Sequence, residues 1–126
     1  MEDSKFEFLK LLDNQNHFVH VPADTVLFRE GDVGDKMYII LEGQIHLTIN
    51  EQDLFTEVDG GIVGEMALID EDVRTATATT LTDCVLAALD LDAFKDLIQK
   101  KPEFSIHVMR VLSQRLRKAN EFLTLF

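Results

Sequence analysis

The alternation of apolar and polar residues predicts short strands over most of the chain. In QIHLTIN at 44–50, Ile45, Leu47 and Ile49 share one face. Other apolar runs, such as KMYIILEG at 36–43 and CVLAALD at 84–90, stand between turn segments, several of which contain glycine. Many short strands with glycine turns indicate an antiparallel barrel or roll. We therefore expect a mainly β fold, a jelly-roll-like antiparallel β-roll of about eight strands over about residues 17–90.

Helical spacing is found at both ends of the chain. Ser4 and Glu7 form a possible capping box for a helix over about residues 4–12. Asp90 or Asp92 can cap a helix over AFKDLIQKK, and Pro102 fits the first turn of the next. We expect two C-terminal helices over about residues 91–124, and one domain over residues 1–126. The last helix is predicted to keep one apolar face, made of Phe104, Val108, Val111, Leu112, Ala119, Phe122 and Phe126.

The charge balance restricts the kind of partner. The 126 residues include 23 acidic and 12 basic side chains, which gives a formal charge of −11. Such a field repels phosphate backbones and acidic membrane surfaces. We therefore expect neither nucleic acid nor membrane as a partner, and any small anion must be held by local groups. The RLRK cluster at 115–118 is interpreted as a solvated helix face.

Cysteine usage indicates the compartment. Cys84 is the single cysteine, so no intramolecular disulfide can form, and we interpret it as a small buried hydrophobe. No apolar run approaches the roughly 18 residues of a membrane span, and the N-terminus lacks a signal-peptide pattern. These features predict a cytoplasmic protein.

The segment GEMALIDEDVRTAT at 64–77 holds the candidate chemistry. Gly64 permits close approach of a ligand, and EMALI is one helical turn whose first amides are unpaired. Arg74 can hold a phosphate by two parallel hydrogen bonds, and Thr75 adds a hydroxyl. Glu65 would repel a phosphate but can accept a hydrogen bond from a sugar hydroxyl. The segment therefore suits a compact nucleotide, whereas a structural ion pair between Glu65 and Arg74 is the simpler alternative.

These residues resemble the phosphate-binding cassette of the cyclic nucleotide-binding domain family. That module is shared by the catabolite activator protein, the regulatory subunits of cAMP-dependent protein kinase and the nucleotide-gated channels. The flanking VPADTVLFREGDVGDKMYIILEGQIHL and GGIVGE resemble the family's hairpins and its approach to the cassette, so the resemblance covers nearly the whole chain. Val63 is a departure, because the family often has Phe there.

The resemblance implies a role for each matching position. Glu65 would accept the ribose 2′-OH, Arg74 would pair with the cyclic phosphate, and nearby amides would complete the phosphate site. The C-terminal helix would close over the base as a lid. The implied ligand-binding residues are Gly64, Glu65, Met66, Ala67, Arg74, Thr75 and Ala76. By position, Ala119, Phe122 and Leu123 are possible lid residues, with plain core packing as the alternative for each. Thr75 does not decide between cAMP and cGMP.

Other chemistry has weaker support in the sequence. The four histidines, His17, His20, His46 and His107, do not make a convincing metal set, and the sequence has no nucleophile–base pair in a familiar context. We therefore expect no catalytic residues, no metal and no cofactor.

The resulting hypothesis is a regulatory sensor that reversibly binds a cyclic nucleotide, with cAMP favoured over cGMP, and transmits binding through its C-terminal helices. A homodimer through the last helix, or an effector domain or partner protein, would receive the signal. A ligand-free interaction module and a member tuned to another ligand such as haem remain alternatives. Whether the chain is a stand-alone sensor or part of a larger regulator is left open.

Overall fold

A computed structural model of the chain describes residues 18–70 and 72–124, with side chains described as far as residue 121. The described residues form eight strands and three helices, which confirms the predicted β-roll. The predicted helix near residues 4–12 lies outside the described residues. In chain order the elements are β1 (Phe18–Val21), β2 (Val26–Phe28), β3 (Met37–Glu42), β4 (Ile45–Ile49), β5 (Gln52–Glu57), β6 (Ile62–Val63), α1 (Glu65–Asp70), β7 (Thr77–Thr80), β8 (Cys84–Leu89), α2 (Leu91–Lys100) and α3 (Glu103–Thr124).

The strands form two antiparallel four-stranded sheets with an apolar core between them. The strand orders are β1-β8-β3-β6 and β2-β7-β4-β5. Side chains from both sheets meet in this core, including Ile40 and Leu86 from the first sheet and Phe28 and Leu47 from the second. Cys84 belongs to the same cluster, so its predicted burial is confirmed. Val63 and Ala76 also belong to this core, so it packs against the segment 64–77, which contains the candidate site.

The outer face of the first sheet is covered by helices. Ile39 of β3 packs in a second cluster with Leu97 of α2 and Phe104 of α3, while the next residue, Ile40, faces the other sheet. Because β3 and β8 are buried on both faces, they appear as continuous apolar runs in the sequence. Strand β4 is half-exposed on one face and therefore alternates.

The sequence predicts a short turn at EQD, residues 51–53, and a strand at RTATATT, residues 74–80, but both boundaries differ in the structure. The β4–β5 turn is made by Asn50 and Glu51, with φ of 52° and 68°, rather than by residues 51–53. Strand β7 begins at Thr77 rather than at Arg74. The backbone of Arg74 instead bonds to the 29–32 turn, through Gly31 N to Arg74 O at 2.9 Å and Arg74 N to Asp32 O at 2.8 Å. Those bonds hold the backbone of Arg74 beside the 29–32 turn, and its side chain enters the roll from there.

The two C-terminal helices begin as the capping signals predict. Asp90 is the N-cap of α2, and its Oδ1 accepts a hydrogen bond from Ala93 N at 2.9 Å. Phe104 of α3 meets Phe94 of α2 edge-on, with ring centroids 5.7 Å apart. The predicted apolar face of α3 is buried at its N-terminal end, at Phe104 and Val108, but Ala119 is exposed within this chain. Phe122 and Phe126 of that face lie outside the described side chains.

No helix within the described part of the chain is both long and apolar enough to cross a membrane.

Candidate functional site

The turn from β6 into α1 brings the chain back over the end of the roll. Gly64 follows β6 with φ of +82°, in the left-handed region that favours glycine. A Cβ at this position would lie 2.5 Å from Arg74 Nη1 and 3.1 Å from Lys36 O. Glycine is therefore required both for the turn and for the close approach of the arginine. Glu65 then begins α1 with its side chain directed into the roll.

Arg74 is buried with only 5% of its surface exposed, and neutral groups hold it. Its Nη1 donates to Gly64 O at 2.9 Å and its Nη2 donates to Lys36 O at 2.7 Å. The guanidinium carbon lies 4.1 Å from the centroid of the Phe28 ring, a cation–π contact. Among the described residues its Nε has no hydrogen-bond partner. Burial lowers the pKa of Arg74, but an arginine still stays charged at neutral pH. The site therefore contains a buried cation that no carboxylate of the described residues neutralises by direct contact.

Gly34 supports Arg74 from the β2–β3 turn. A Cβ added at Gly34 would lie 2.3 Å from Ala67 Cβ and 2.9 Å from Arg74 Nε. Both distances are shorter than real Cβ contacts allow, so any larger residue would displace the arginine or α1. This close packing against Arg74 explains why positions 34 and 67 carry small residues.

Glu65 is more deeply buried than Arg74, with 3% of its surface exposed. Its Oε2 accepts a hydrogen bond from Arg115 Nη1 at 2.8 Å, while its Oε1 has no partner among the described residues. Burial raises the pKa of the Glu65 carboxyl, and the charge on Arg115 opposes that increase. Because a buried oxygen without a partner is costly, Oε1 is suited to accept a hydrogen bond from a ligand.

Arg115 is the functional residue that the sequence interpretation missed. The prediction that residues 115–118 form a solvated face is wrong for Arg115, since the side chain is only 23% exposed and crosses from α3 to the roll. Its Nη2 donates to Glu57 Oε2 at 2.6 Å and to the carbonyl oxygen of Ile62. Its guanidinium carbon lies 4.9 Å from the centroid of the Phe55 ring. The spacing contained a signal, because residue 115 continues the helical face of Phe104, Val108 and Val111.

One small cavity connects these groups. It has a volume of about 100 Å³, and Arg74, Glu65 and Arg115 all line it. All seven residues predicted to bind the ligand line the same cavity. The lining is completed by apolar side chains of the roll, and the whole set is Phe28, Leu47, Leu54, Phe55, Val63, Gly64, Glu65, Met66, Ala67, Arg74, Thr75, Ala76 and Arg115.

Of the three predicted lid residues, the structure describes the side chain of Ala119 alone, and Ala119 does not line this cavity. Ala119 is exposed on α3, and the side chains of Phe122 and Leu123 lie outside the described residues. Arg115, which lies one helical turn before Ala119, is the described residue of α3 that lines the cavity. The assignment of a lid to the other three positions stays a prediction.

A larger surface groove lies elsewhere, on the other side of α1. It measures about 500 Å³ and is lined by four aspartates, Asp35, Asp72, Asp90 and Asp92, and by apolar residues. Carboxylates at this density repel an anionic ligand. Within residues 18–70 and 72–124, no group of three or more histidine, cysteine, aspartate or glutamate side chains is placed to hold a metal ion.

Comparison with known proteins identifies relatives of the chain. Residues 18–101 match the cyclic nucleotide-binding domain. The chain is 34% identical over 114 residues to the CRP-like cAMP-activated global transcriptional regulator of Mycobacterium tuberculosis, which covers 86% of this chain and 51% of that protein. The chain therefore spans about half the length of this relative.

Solved structures give the same picture. The catabolite activator protein of Thermus thermophilus superposes with a TM-score of 0.79 at 28% identity, over 94% of this chain and 58% of that one. The EAL enzyme Bd1971 has been solved in cAMP-bound and cGMP-bound forms. Its cAMP-bound form superposes with a TM-score of 0.61 at 33% identity, over 86% of this chain and 30% of the enzyme.

Proposed function

Because the chain belongs to the cyclic nucleotide-binding domain family, we propose that it reversibly binds a cyclic nucleoside monophosphate in the cavity between Glu65 and Arg74. One observation carries this proposal. Two buried side chains of opposite charge line one cavity, and in the part of the chain that the structure describes neither Glu65 Oε1 nor Arg74 Nε has a hydrogen-bond partner. A ligand with both a hydroxyl and an anionic group would satisfy the two atoms together.

Arg74 is the proposed phosphate partner. A guanidinium has five N–H groups, and the two described hydrogen bonds to carbonyl oxygens leave donors for a phosphate. The planar arrangement of these donors matches two phosphate oxygens at once. Neighbouring residues Ala67, Thr75 and Ala76 would complete the phosphate site with backbone amides.

Glu65 is the proposed partner of the ribose 2′-OH. The hydroxyl would donate to Oε1, while Oε2 keeps its bond to Arg115. The described cavity of about 100 Å³ is smaller than the roughly 300–1,000 Å³ of typical ligand sites. We therefore expect the half-exposed side chains of Leu54 and Met66 to move aside when the nucleotide enters.

We favour cAMP over cGMP as the signal. The name of the Mycobacterium tuberculosis relative, a cAMP-activated regulator, supports this preference. The cAMP-bound and cGMP-bound forms of Bd1971 indicate that this type of domain accepts either base, so the preference must be measured. Thr75 lines the cavity but does not decide the question.

We further propose that the domain is not itself catalytic and acts through its C-terminal helices. The EAL enzyme Bd1971 matches this chain over only 30% of its length, which supports a regulatory module beside separate effector segments. A homodimer through α3, or an effector domain or partner protein, would receive the signal. Light scattering of the purified chain at high concentration tests the dimer, and a strict monomer would contradict it.

The predicted absence of nucleic-acid partners is not supported, since the relative that this chain half covers is named a transcriptional regulator. The acidic charge of this domain argues only against direct binding by its own surface. A cytoplasmic location stays a prediction, supported by the single cysteine.

Calorimetric titration with cAMP, cGMP and AMP tests the proposed ligand. A denatured sample is first analysed for co-purified nucleotide, and the visible spectrum is checked for haem. Saturable binding of a cyclic nucleotide without binding of AMP supports the sensor. No binding by folded, nucleotide-free protein would contradict it and favour an interaction module.

A further inference from the structure

Glu57 of β5 occupies an unusual place beside the proposed site. It does not line the cavity, yet its Oε2 lies 2.6 Å from Nη2 of Arg115, the residue that contacts Glu65. The Glu57 side chain is only 18% exposed, so the ion pair is shielded from water and salt. Arg115 therefore spans two carboxylates, one that the ligand is proposed to use and one that it is not.

The two carboxylates differ in what a ligand can do to them. Glu65 lines the cavity, so a bound ligand can contact it directly. Glu57 lies outside the cavity lining, so its bond to Arg115 is available whether or not the ligand is bound. The carbonyl of Ile62 and the ring of Phe55 hold the same guanidinium in place.

We propose that Glu57 is a positioning residue that anchors Arg115, and through it α3, against the roll before the ligand arrives. With Arg115 anchored, Glu65 Oε2 is occupied and Oε1 remains free, so the anchored arrangement is the one that can accept the ribose hydroxyl. Glu57 thus raises the fraction of molecules that are ready to bind. This inference rests on the proposed function, because it assumes that the anchored arrangement binds a cyclic nucleotide.

The fraction of molecules with Arg115 anchored determines how strongly the loss of Glu57 should weaken cAMP binding. The apparent dissociation constant equals the intrinsic constant divided by the fraction of molecules in the competent state. Glu57→Gln keeps the size of the side chain but removes the charge, so Arg115 would release more often. We expect cAMP affinity to fall by roughly 3- to 10-fold, which corresponds to the difference between a charged and a neutral hydrogen bond.

A charge effect alone would have the opposite sign. Removing the carboxylate leaves the cavity region more positive, which favours an anionic ligand. Lower affinity together with a looser α3 therefore indicates positioning, whereas higher affinity with an unchanged α3 would indicate charge and overturn the proposal.

The test measures hydrogen exchange of α3 and cAMP affinity in the purified 126-residue chain. Asp53→Asn is the matched control, because Asp53 lies on the same strand but contacts His46 rather than Arg115. In ligand-free Glu57→Gln, we expect exchange within residues 112–121 to rise several-fold, with saturating cAMP restoring protection. Unchanged exchange in ligand-free Glu57→Gln would overturn the proposal, whether or not the parent protein binds cAMP.

A double-mutant cycle with Arg115→Gln keeps the proposal falsifiable if one variant is globally destabilised. Circular dichroism first establishes that each variant is folded. In the Arg115→Gln background, adding Glu57→Gln should change neither α3 exchange nor affinity further. The same additional loss in both backgrounds would mean that Glu57 acts without Arg115 and would overturn the proposal. Failure of the parent to bind any cyclic nucleotide would instead refute the proposed function, leaving the ligand-free exchange result to decide the role of Glu57.

Discussion

The two arginines of the cavity are held in opposite ways. Arg74 bonds to two neutral carbonyl oxygens, whereas Arg115 bonds to two carboxylates and one carbonyl. A carbonyl orients a guanidinium without neutralising it, while a pair of carboxylates more than balances its charge. The Arg74 end is therefore prepared for an anion, and the Arg115 end fixes a carboxylate and a helix.

Removing the uncompensated cation is the largest expected effect. Arg74→Ala should weaken cAMP binding by about 2–5 kcal/mol, which is roughly 30- to several-thousand-fold, because a buried charge pair loses one partner. Calorimetry measures the change, and Arg29→Ala, at an exposed arginine, is the control. An Arg74→Ala protein that is folded and binds cAMP like the parent would break the distinction between the two ends.

The hydroxyl acceptor gives the next largest effect. Glu65→Ala, which removes the acceptor, should weaken cAMP binding by roughly 10- to 100-fold, since a hydrogen bond to a charged group contributes about 1.5–3 kcal/mol. The same substitution should have little effect on binding of 2′-deoxy-cAMP, which lacks the hydroxyl. Equal losses for the two nucleotides would mean that Glu65 does not contact the ribose but acts through Arg115.

The packing beneath Arg74 offers a subtler test. Gly34→Ala should lower stability by about 1–3 kcal/mol through overpacking, and it should also weaken cAMP binding, because the new Cβ meets Arg74 and Ala67. Gly43→Ala is the matched control: the new Cβ would lie 2.5 Å from Cys84 Sγ, so it is also overpacked, but its nearest neighbours are Asp83 and Cys84 rather than Arg74. Thermal melting and calorimetry of both variants separate a general loss of stability from displacement of the arginine. If Gly43→Ala reduces affinity as much as Gly34→Ala, the contact with Arg74 is not the cause.

The sequence predicts the Arg74 end much better than the Arg115 end. Gly64, Glu65 and Arg74 lie within one short segment, so their types and spacing carry the chemistry. The alternation around Ile45 likewise indicates the strands, because one buried face imposes a period of two. Arg115 lies 50 residues from Glu65 and 58 from Glu57, so no local pattern joins them. Helical periodicity places residue 115 on the buried face of α3, but only the packing of α3 on the roll shows which carboxylates it meets.

The two ends should also respond differently to pH. Burial raises the pKa of Glu65 above its ordinary value of 4.5, while Arg115 opposes the shift. In the window from 4.5 up to that raised pKa, the folded protein binds more protons than the unfolded chain, so the contribution of this group to stability falls as the pH rises. The affinity for the ligand should instead rise with pH, because protonation of Glu65 at lower pH removes the charged acceptor of the ribose hydroxyl. Arg74 stays charged throughout this window.

We therefore expect cAMP affinity to decrease by about five- to tenfold as the pH is lowered through the window, the difference between a charged and a neutral hydrogen bond. Calorimetry over a pH series measures this effect, and Glu65→Gln should remove the pH dependence. Glu57 also faces Arg115, so Glu57→Gln is titrated in parallel. If cAMP affinity falls equally steeply toward acid pH in the parent and in Glu65→Gln, a group other than Glu65 titrates. The Arg115 end would then not explain the pH dependence. If Glu65→Gln alone removes the pH dependence of cAMP affinity, the comparison becomes sharper. The proton that is linked to binding would then belong to the Arg115 end, which includes Glu65, and not to Arg74.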